Sequence, residues 1–210
     1  MLEKLATAMG ELEQDEVMSL IGQLKEAGTD DSEILGALQI GMQKVGELYE
    51  AKEYYLSELI ISGDIFQEAT AQLGAADADG GEIAGTIVMG TVKDDIHNIG
   101  KDIVVSLWSC NGFKVIDLGI DVPVEKFIEA VKEHKPDIVG MSCLLTSCFP
   151  SMKAVVDALE AEGLRKGLKI LIGGGTMSES VGKYVTADAY TDSAGEGVVL
   201  AKKLMADLGK

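Results

Sequence analysis

Apolar positions in the first 78 residues recur every three or four places. Val17, Leu20, Ile21 and Leu24 make one stripe. Ile34, Leu38, Ile40, Met42, Val45 and Leu48 make a second, broader one, and Leu56, Leu59, Ile60, Ile65 and Ala69 a third. That period is helical. The stretch has no proline and is rich in Leu, Glu, Ala, Met and Gln, all good helix formers. Gly28 followed by Asp30, Asp31 and Ser32 reads as a helix stop and then an N-cap, and Tyr49–Tyr54 as a turn. The pattern predicts four helices near 2–9, 14–27, 32–50 and 54–75, whose short connections make an antiparallel bundle.

A small, acidic, glycine-ending stretch, Leu73–Gly81, reads as a linker. After it the pattern changes. Ile83–Met89, Lys114–Leu118, Ile138–Met141 and Lys169–Ile172 are short runs rich in Val and Ile, separated by helical segments at 99–111, 123–134, 150–163 and 194–208. Strands alternating with helices at this spacing predict βαβ units and a parallel sheet. The expected division is a helical domain over 1–78 and an α/β domain over 79–210. Ligands of such sheets bind at the carboxyl ends of the strands, which directs attention to the residues after Met89, Gly140 and Ile172.

Composition narrows the function. The chain has 210 residues, and 18 basic side chains against 35 acidic ones give a net charge of −17. A surface that acidic repels phosphate backbones and anionic lipid, so neither nucleic acid nor a membrane is an expected partner. No stretch approaches the ~20 apolar residues of a membrane span. The start, MLEKLATAMGELEQDE, lacks a basic-then-apolar leader, and a cytoplasmic location is expected. The three cysteines, Cys110, Cys143 and Cys148, are odd in number and lack C-x-x-C spacing, which disfavours a disulfide framework and a zinc knuckle.

The first expected strand end leads into Gly90-Thr91-Val92-Lys93-Asp94-Asp95-Ile96-His97-Asn98-Ile99-Gly100-Lys101, with one of only two histidines. In an extended loop, residues two apart point to one side. Asp95 then reaches one ring nitrogen of His97 and leaves the other for a metal. Gly100 lets a bulky group approach the backbone. A capping or surface histidine is the plainer alternative. After the third strand come Ser142 and Thr146, hydroxyls placed to bond a polar ligand or to cap the helix that begins near Pro150. After the fourth come Gly173, Gly174 and Gly175, which admit a flat ligand group or simply make a tight turn. His134 suits a helix C-terminus, the cysteines suit small apolar positions, and Trp108 suits the core. The first βα turn lacks G-x-G-x-x-G and carries Lys-Asp-Asp, which disfavours a nicotinamide cofactor.

Three such motifs at three strand ends resemble the cobalamin-binding domain of corrinoid methyl carriers and of cobalamin-dependent methionine synthase. The family's D-x-H-x-x-G is matched by Asp95, His97 and Gly100. Its S-x-L with a threonine two further on is matched by Ser142, Leu144 and Thr146, and its G-G by Gly173 and Gly174. The helical half resembles the family's four-helix cap, with Tyr55–Ile60 similar to its cap helix. The resemblance implies an α/β fold, a helical cap before a Rossmann-like (flavodoxin-like) doubly wound parallel sheet. It implies cobalamin, as methylcobalamin or cob(I)alamin, with its benzimidazole displaced from cobalt. His97 is then the lower axial cobalt ligand, and Asp95 orients it and shares its proton. Asp94, Ile96, Asn98 and Gly100 adjoin the cofactor, as do Tyr55 and Leu59 from the cap. The nucleotide tail lies beside Ser142, Leu144, Thr146 and Gly173 to Gly175, with Tyr190 to Ala194 closing the pocket. Cys148 stands where methionine synthase has a serine that completes the relay. A thiol is a weak donor, so Asp95 is expected to be less well held, or held by water.

The implied function is a methyl carrier that is not a catalyst by itself. A donor-specific methyltransferase loads it from a methoxylated aromatic (the favoured donor, by O-demethylation), methanol, a methylamine or glycine betaine. A second methyltransferase passes the methyl to tetrahydrofolate or coenzyme M, and a reductive activating protein rescues oxidised cobalt. The alternative is the small cobalamin-binding subunit of an adenosylcobalamin-dependent mutase, against which the helical half argues. A cobalamin sensor would want a DNA-binding module, for which the chain has no basic helix.

Overall fold

The computed structural model describes residues 1–73 and 84–209. From Gly74 on, the stretch read as a linker lies outside the described residues, as does the expected boundary at 78. Two compact units emerge: Met1–Ile83 with Cys110–Gly112, and Ala84–Ser109 with Phe113–Lys210.

The helical unit holds α1 (Leu2–Gly10), α2 (Gln14–Glu26), α3 (Asp31–Glu50) and α4 (Leu56–Gln72). Asp30 caps α3, its side chain accepting from the Ser32 N–H at 2.9 Å. At the start of α4 the Tyr55 N–H donates to Glu58 Oε2 at 2.8 Å, which satisfies one of the free amides of that end. Leu5, Met9, Val17, Ile21, Ile34, Leu38, Ile65 and Ala69 form one core. α1 and α3 cross closely because residue 41 is glycine: a Cβ there would lie 2.5 Å from Met9 Cβ and 2.6 Å from the Ala6 carbonyl. Two expected stripe members turn outward. Ile40 and Ile60 are exposed, since each lies a third of a turn or more off the line of its buried neighbours.

The second unit is a five-stranded, wholly parallel sheet in the order β2-β1-β3-β4-β5. Its strands are β1 (Gly85–Thr91), β2 (Phe113–Asp117), β3 (Ile138–Ser142), β4 (Lys169–Gly173) and β5 (Ala189–Thr191). Its helices are α5 (Ile99–Cys110), α6 (Val124–His134), α7 (Phe149–Ala161), α8 (Glu179–Val185) and α9 (Ala194–Asp207). The short β5 and α8 did not emerge from the sequence pattern, because three and seven residues are too few to display a period. β3 is buried along its whole length, as a strand covered on both faces must be. On one face Val88, Val139, Met141, Ile170 and Ile172 pack with Phe127 of α6, Met152 and Leu159 of α7 and Val181 of α8. On the other, Trp108 of α5 donates its indole N–H to the Gly197 carbonyl of α9 at 3.1 Å, a core role as expected. Among the described residues, no helix is long and apolar enough to cross a membrane.

The strand register brings the carboxyl ends into line. Thr91, Ser142, Gly173 and Thr191 occupy one rung across β1, β3, β4 and β5. β1 is flanked by β2 on one side and β3 on the other, so the chain's direction of progress reverses there. That switch opens a crevice beyond the ends of β1 and β3.

Candidate functional site

The loop that leaves β1 at this switch point carries the Asp95–His97 pair. Asp95 is 0% exposed, and the His97 side chain is 48% exposed. His97 Nδ1 and Asp95 Oδ1 are 2.6 Å apart, and the His97 backbone N–H donates to the same oxygen at 3.0 Å. The other oxygen, Oδ2, accepts the backbone N–H groups of Leu144 at 2.7 Å and Leu145 at 3.1 Å. Burial by itself would raise the Asp95 carboxyl. The amides of His97, Leu145 and Leu144 and the His97 ring outweigh it and hold the group well below the usual carboxylate range. An ionised carboxylate only accepts, so Nδ1 carries a ring proton and Nε2 is the nitrogen that Asp95 leaves untouched. A half-exposed imidazole oriented by a buried carboxylate is the arrangement of a histidine metal ligand.

This corrects one expectation. Asp95 is not loosely held for want of a serine at position 148. Two backbone amides from the turn after β3 fill the role, and backbone donors leave no signature in residue type. Cys148 is buried, in the 3-10 turn Thr146–Cys148, and its sulfur lies within 4.8 Å of the Asp95 carboxylate and of Cys143 Sγ. Cys143 is also buried. Its thiol donates to the Leu145 carbonyl at 3.1 Å, and burial beside Asp95 pushes it up to about 12.

The other residues expected in the site surround this pair. Asp94, Ile96, Asn98 and Gly100 are exposed on the loop after β1 and the first turn of α5. The Asn98 amide donates to Asp102 at 2.9 Å. Ser142 is buried on the final rung, while Leu144 and Thr146 are exposed beyond it. Gly173 and Gly174 are half-buried and Gly175 is exposed. Gly174 answers to the protein's own backbone: its φ is 139°, and a Cβ there would lie 2.0 Å from the Cys143 carbonyl oxygen. A Cβ on Gly100 would meet open space. Thr176, which the motifs did not single out, donates its hydroxyl to the Leu144 carbonyl at 3.1 Å and ties the fourth strand's loop to the third's. Tyr190 is exposed on β5 beside a cleft of about 380 Å³ that Met177, Thr191, Glu196 and Leu200 also line. Ala194 opens α9. In the helical unit Tyr55 is 66% exposed and Leu59 only 3%.

Large apolar side chains are exposed at the same strand ends: Ile96 on the loop after β1, Ile99 at the start of α5, Ile120 on the loop after β2, and Leu144 and Leu145 on the loop after β3. A flat apolar group carrying a metal matches such a surface. Two families, each described as a B12 binding domain, match the chain, one over residues 85–200 and the other over residues 1–73. The chain belongs to the B12-binding corrinoid proteins. Similar curated relatives include dimethylamine corrinoid protein 1 of Methanosarcina acetivorans, 35% identical over 98% of each chain. Among solved structures, a cobalamin-binding protein of Desulfitobacterium hafniense is 39% identical with a TM-score of 0.79, covering 97% of this chain and 98% of its own. The methanol:cobalamin methyltransferase complex of Methanosarcina barkeri matches at 30% identity and a TM-score of 0.88, over 96% of this chain and 78% of that one. As in other B12-binding proteins, the cofactor is cobalamin. The donor set fits it: one imidazole nitrogen not taken by Asp95, a partner for the other nitrogen, exposed apolar side chains on the strand-end loops, and open space beside Gly100.

Proposed function

We propose that this corrinoid protein binds cobalamin with its benzimidazole displaced and His97 Nε2 on cobalt, and carries a methyl group between two methyltransferases. The observation that carries this is the 2.6 Å Asp95–His97 pair at the strand-end crevice, with Nε2 left for a ligand. Bound there, cobalamin supplies a cobalt that takes up a methyl group and gives it away. The protein's part is to adjust the imidazole. With its proton on Nδ1 and shared with Asp95, His97 gains basicity at Nε2, and the buried carboxylate compensates positive charge on the ring. Asp94, Ile96, Asn98 and Gly100 adjoin the corrin. Ser142, Leu144, Thr146 and Gly173 to Gly175 take the nucleotide tail, with Tyr190 and Ala194 at its edge, and Cys148 lies buried beside Asp95. Residues 1–78 act as the family's cap; of the two residues expected there, Tyr55 is exposed and Leu59 is buried.

The partner that loads it is a donor-specific methyltransferase. Relatives named for dimethylamine and methanol support the methylated amines and methanol over methoxylated aromatics and glycine betaine as donors. The acceptor side is a methyltransferase for tetrahydrofolate or coenzyme M, with a reductive activator. The same relatives lend nothing to the mutase reading. The test is an EPR spectrum of the cob(II)alamin-loaded protein with histidine labelled by nitrogen-15. Superhyperfine splitting that changes with the label, and disappears in His97→Ala, is the expected result. A benzimidazole nitrogen on cobalt overturns the assignment.

A further inference from the structure

The loop after β2 is tied to the loop after β1 at the residue just before Asp95. Asp94 has a φ of 70° and Asp121 a φ of 52°, a left-handed region that residues with a Cβ rarely adopt. Each strained residue supports the other's loop. The Asp94 backbone N–H donates to Asp121 Oδ1 at 2.8 Å, and Lys93 Nζ donates to the same oxygen at 2.7 Å. In return the Asp121 N–H donates to the Asp95 carbonyl at 3.0 Å. Two flanking bonds extend the seam, Thr91 N–H to the Gly119 carbonyl at 2.9 Å and Val122 N–H to the Thr91 carbonyl at 3.0 Å.

We infer that Asp121 is a positioning residue for His97: its carboxylate holds Asp94 in the left-handed turn that sends the next side chain, Asp95, inward and His97 outward. The inference rests on the reading of His97 as the cobalt ligand. An exposed Lys–Asp pair alone contributes little. The Asp121 oxygen differs because it also accepts a backbone amide in a strained turn, and strain of this kind persists only where its surroundings hold it. The exposed apolar side chains gain from the same device, since Ile96 and Ile120 are carried by the two loops that Asp121 joins.

Three variants of the full chain separate the roles. Asp121→Gly accepts the backbone angle but has no carboxylate. Asp121→Asn keeps an acceptor oxygen and tolerates the same angle. Lys93→Met removes only the ammonium. Two readouts are taken: the fraction of cobalt carrying histidine nitrogen in the EPR spectrum of the cob(II)alamin form, and amide exchange at Asp94 in the cofactor-free protein. Asp121→Gly is expected to speed exchange at Asp94 about tenfold or more, the loss of one charge-assisted hydrogen bond, and to lower the histidine-ligated fraction. Asp121→Asn is expected to restore both, and Lys93→Met to leave both near wild type. An Asp121→Gly protein with wild-type exchange and a wild-type ligated fraction overturns the inference. So does one that only melts earlier. A wild-type spectrum without histidine nitrogen removes the His97 reading itself, and the inference with it.

Discussion

Leu144 donates its backbone N–H to Asp95 Oδ2 at 2.7 Å, across 49 residues of chain. The bond joins the turn after β1 to the turn after β3, on the two sides of the sheet's switch point. With the Leu145 amide beside it, it leaves Asp95 bonded through both oxygens and closed to water. The Asp95–His97 pair is thereby set by strand order as much as by the motif that contains it.

Asp95→Asn tests that bonding. An amide offers one acceptor oxygen, so its NH2 must face N–H groups on one side or the other. Leaving a buried donor without a partner costs about 1–3 kcal/mol. The variant is expected to lose that much stability in a urea titration, and methyl transfer from the loaded protein is expected to fall about 10–100-fold, the usual effect of removing a ligand's supporting carboxylate. Unchanged rates would show that Asp95 is only a loop staple.

Cys143 is predicted to be inert. Its thiol is buried and its ionisation pushed up to about 12, so native protein at pH 8 should resist iodoacetamide at this residue while unfolded protein reacts. The folded state holds this proton more tightly than the unfolded one. The contribution to stability is therefore complete below the ordinary value of 9.0 and lost as pH rises from there toward 12. Melting curves from pH 8 to 11 should fall more steeply for wild type than for Cys143→Ala. Equal slopes would refute the assignment.

Gly174→Ala should be costly away from any cofactor chemistry. The new Cβ meets the Cys143 carbonyl, and the φ of 139° is disfavoured for alanine. A loss of about 2 kcal/mol or more is expected, seen as a melting temperature lower by roughly 5 °C. A variant as stable as wild type would mean that the two loops part easily.

The sheet unit has its own core, so a chain of residues 79–210 is expected to fold, to give a cooperative melt, and to take up cobalamin. Uptake by equilibrium dialysis checks this. Failure to bind despite a cooperative melt would assign cofactor retention to the helical half.

Much of the fold follows from near-neighbour chemistry. The three-and-four spacing from Val17 to Leu24, the Asp30 cap and the Val- and Ile-rich runs are local features, and local features are what a one-dimensional pattern carries. The spacing of Asp95 and His97 is likewise local, and so was readable. The sequence by itself therefore determined eight of the nine helices and four of the five strands among the described residues, and the spacing that lets Asp95 reach His97. What the tertiary structure alone decided is what holds that pair. The amides of Leu144 and Leu145, the Asp121 oxygen on Asp94, and the need for glycine at 174 all involve backbone groups. Every residue but proline carries the same N–H and every residue the same carbonyl, so nothing in the order of side chains marks which of them will meet. Only the placement of β2, β1, β3 and β4 side by side brings them together.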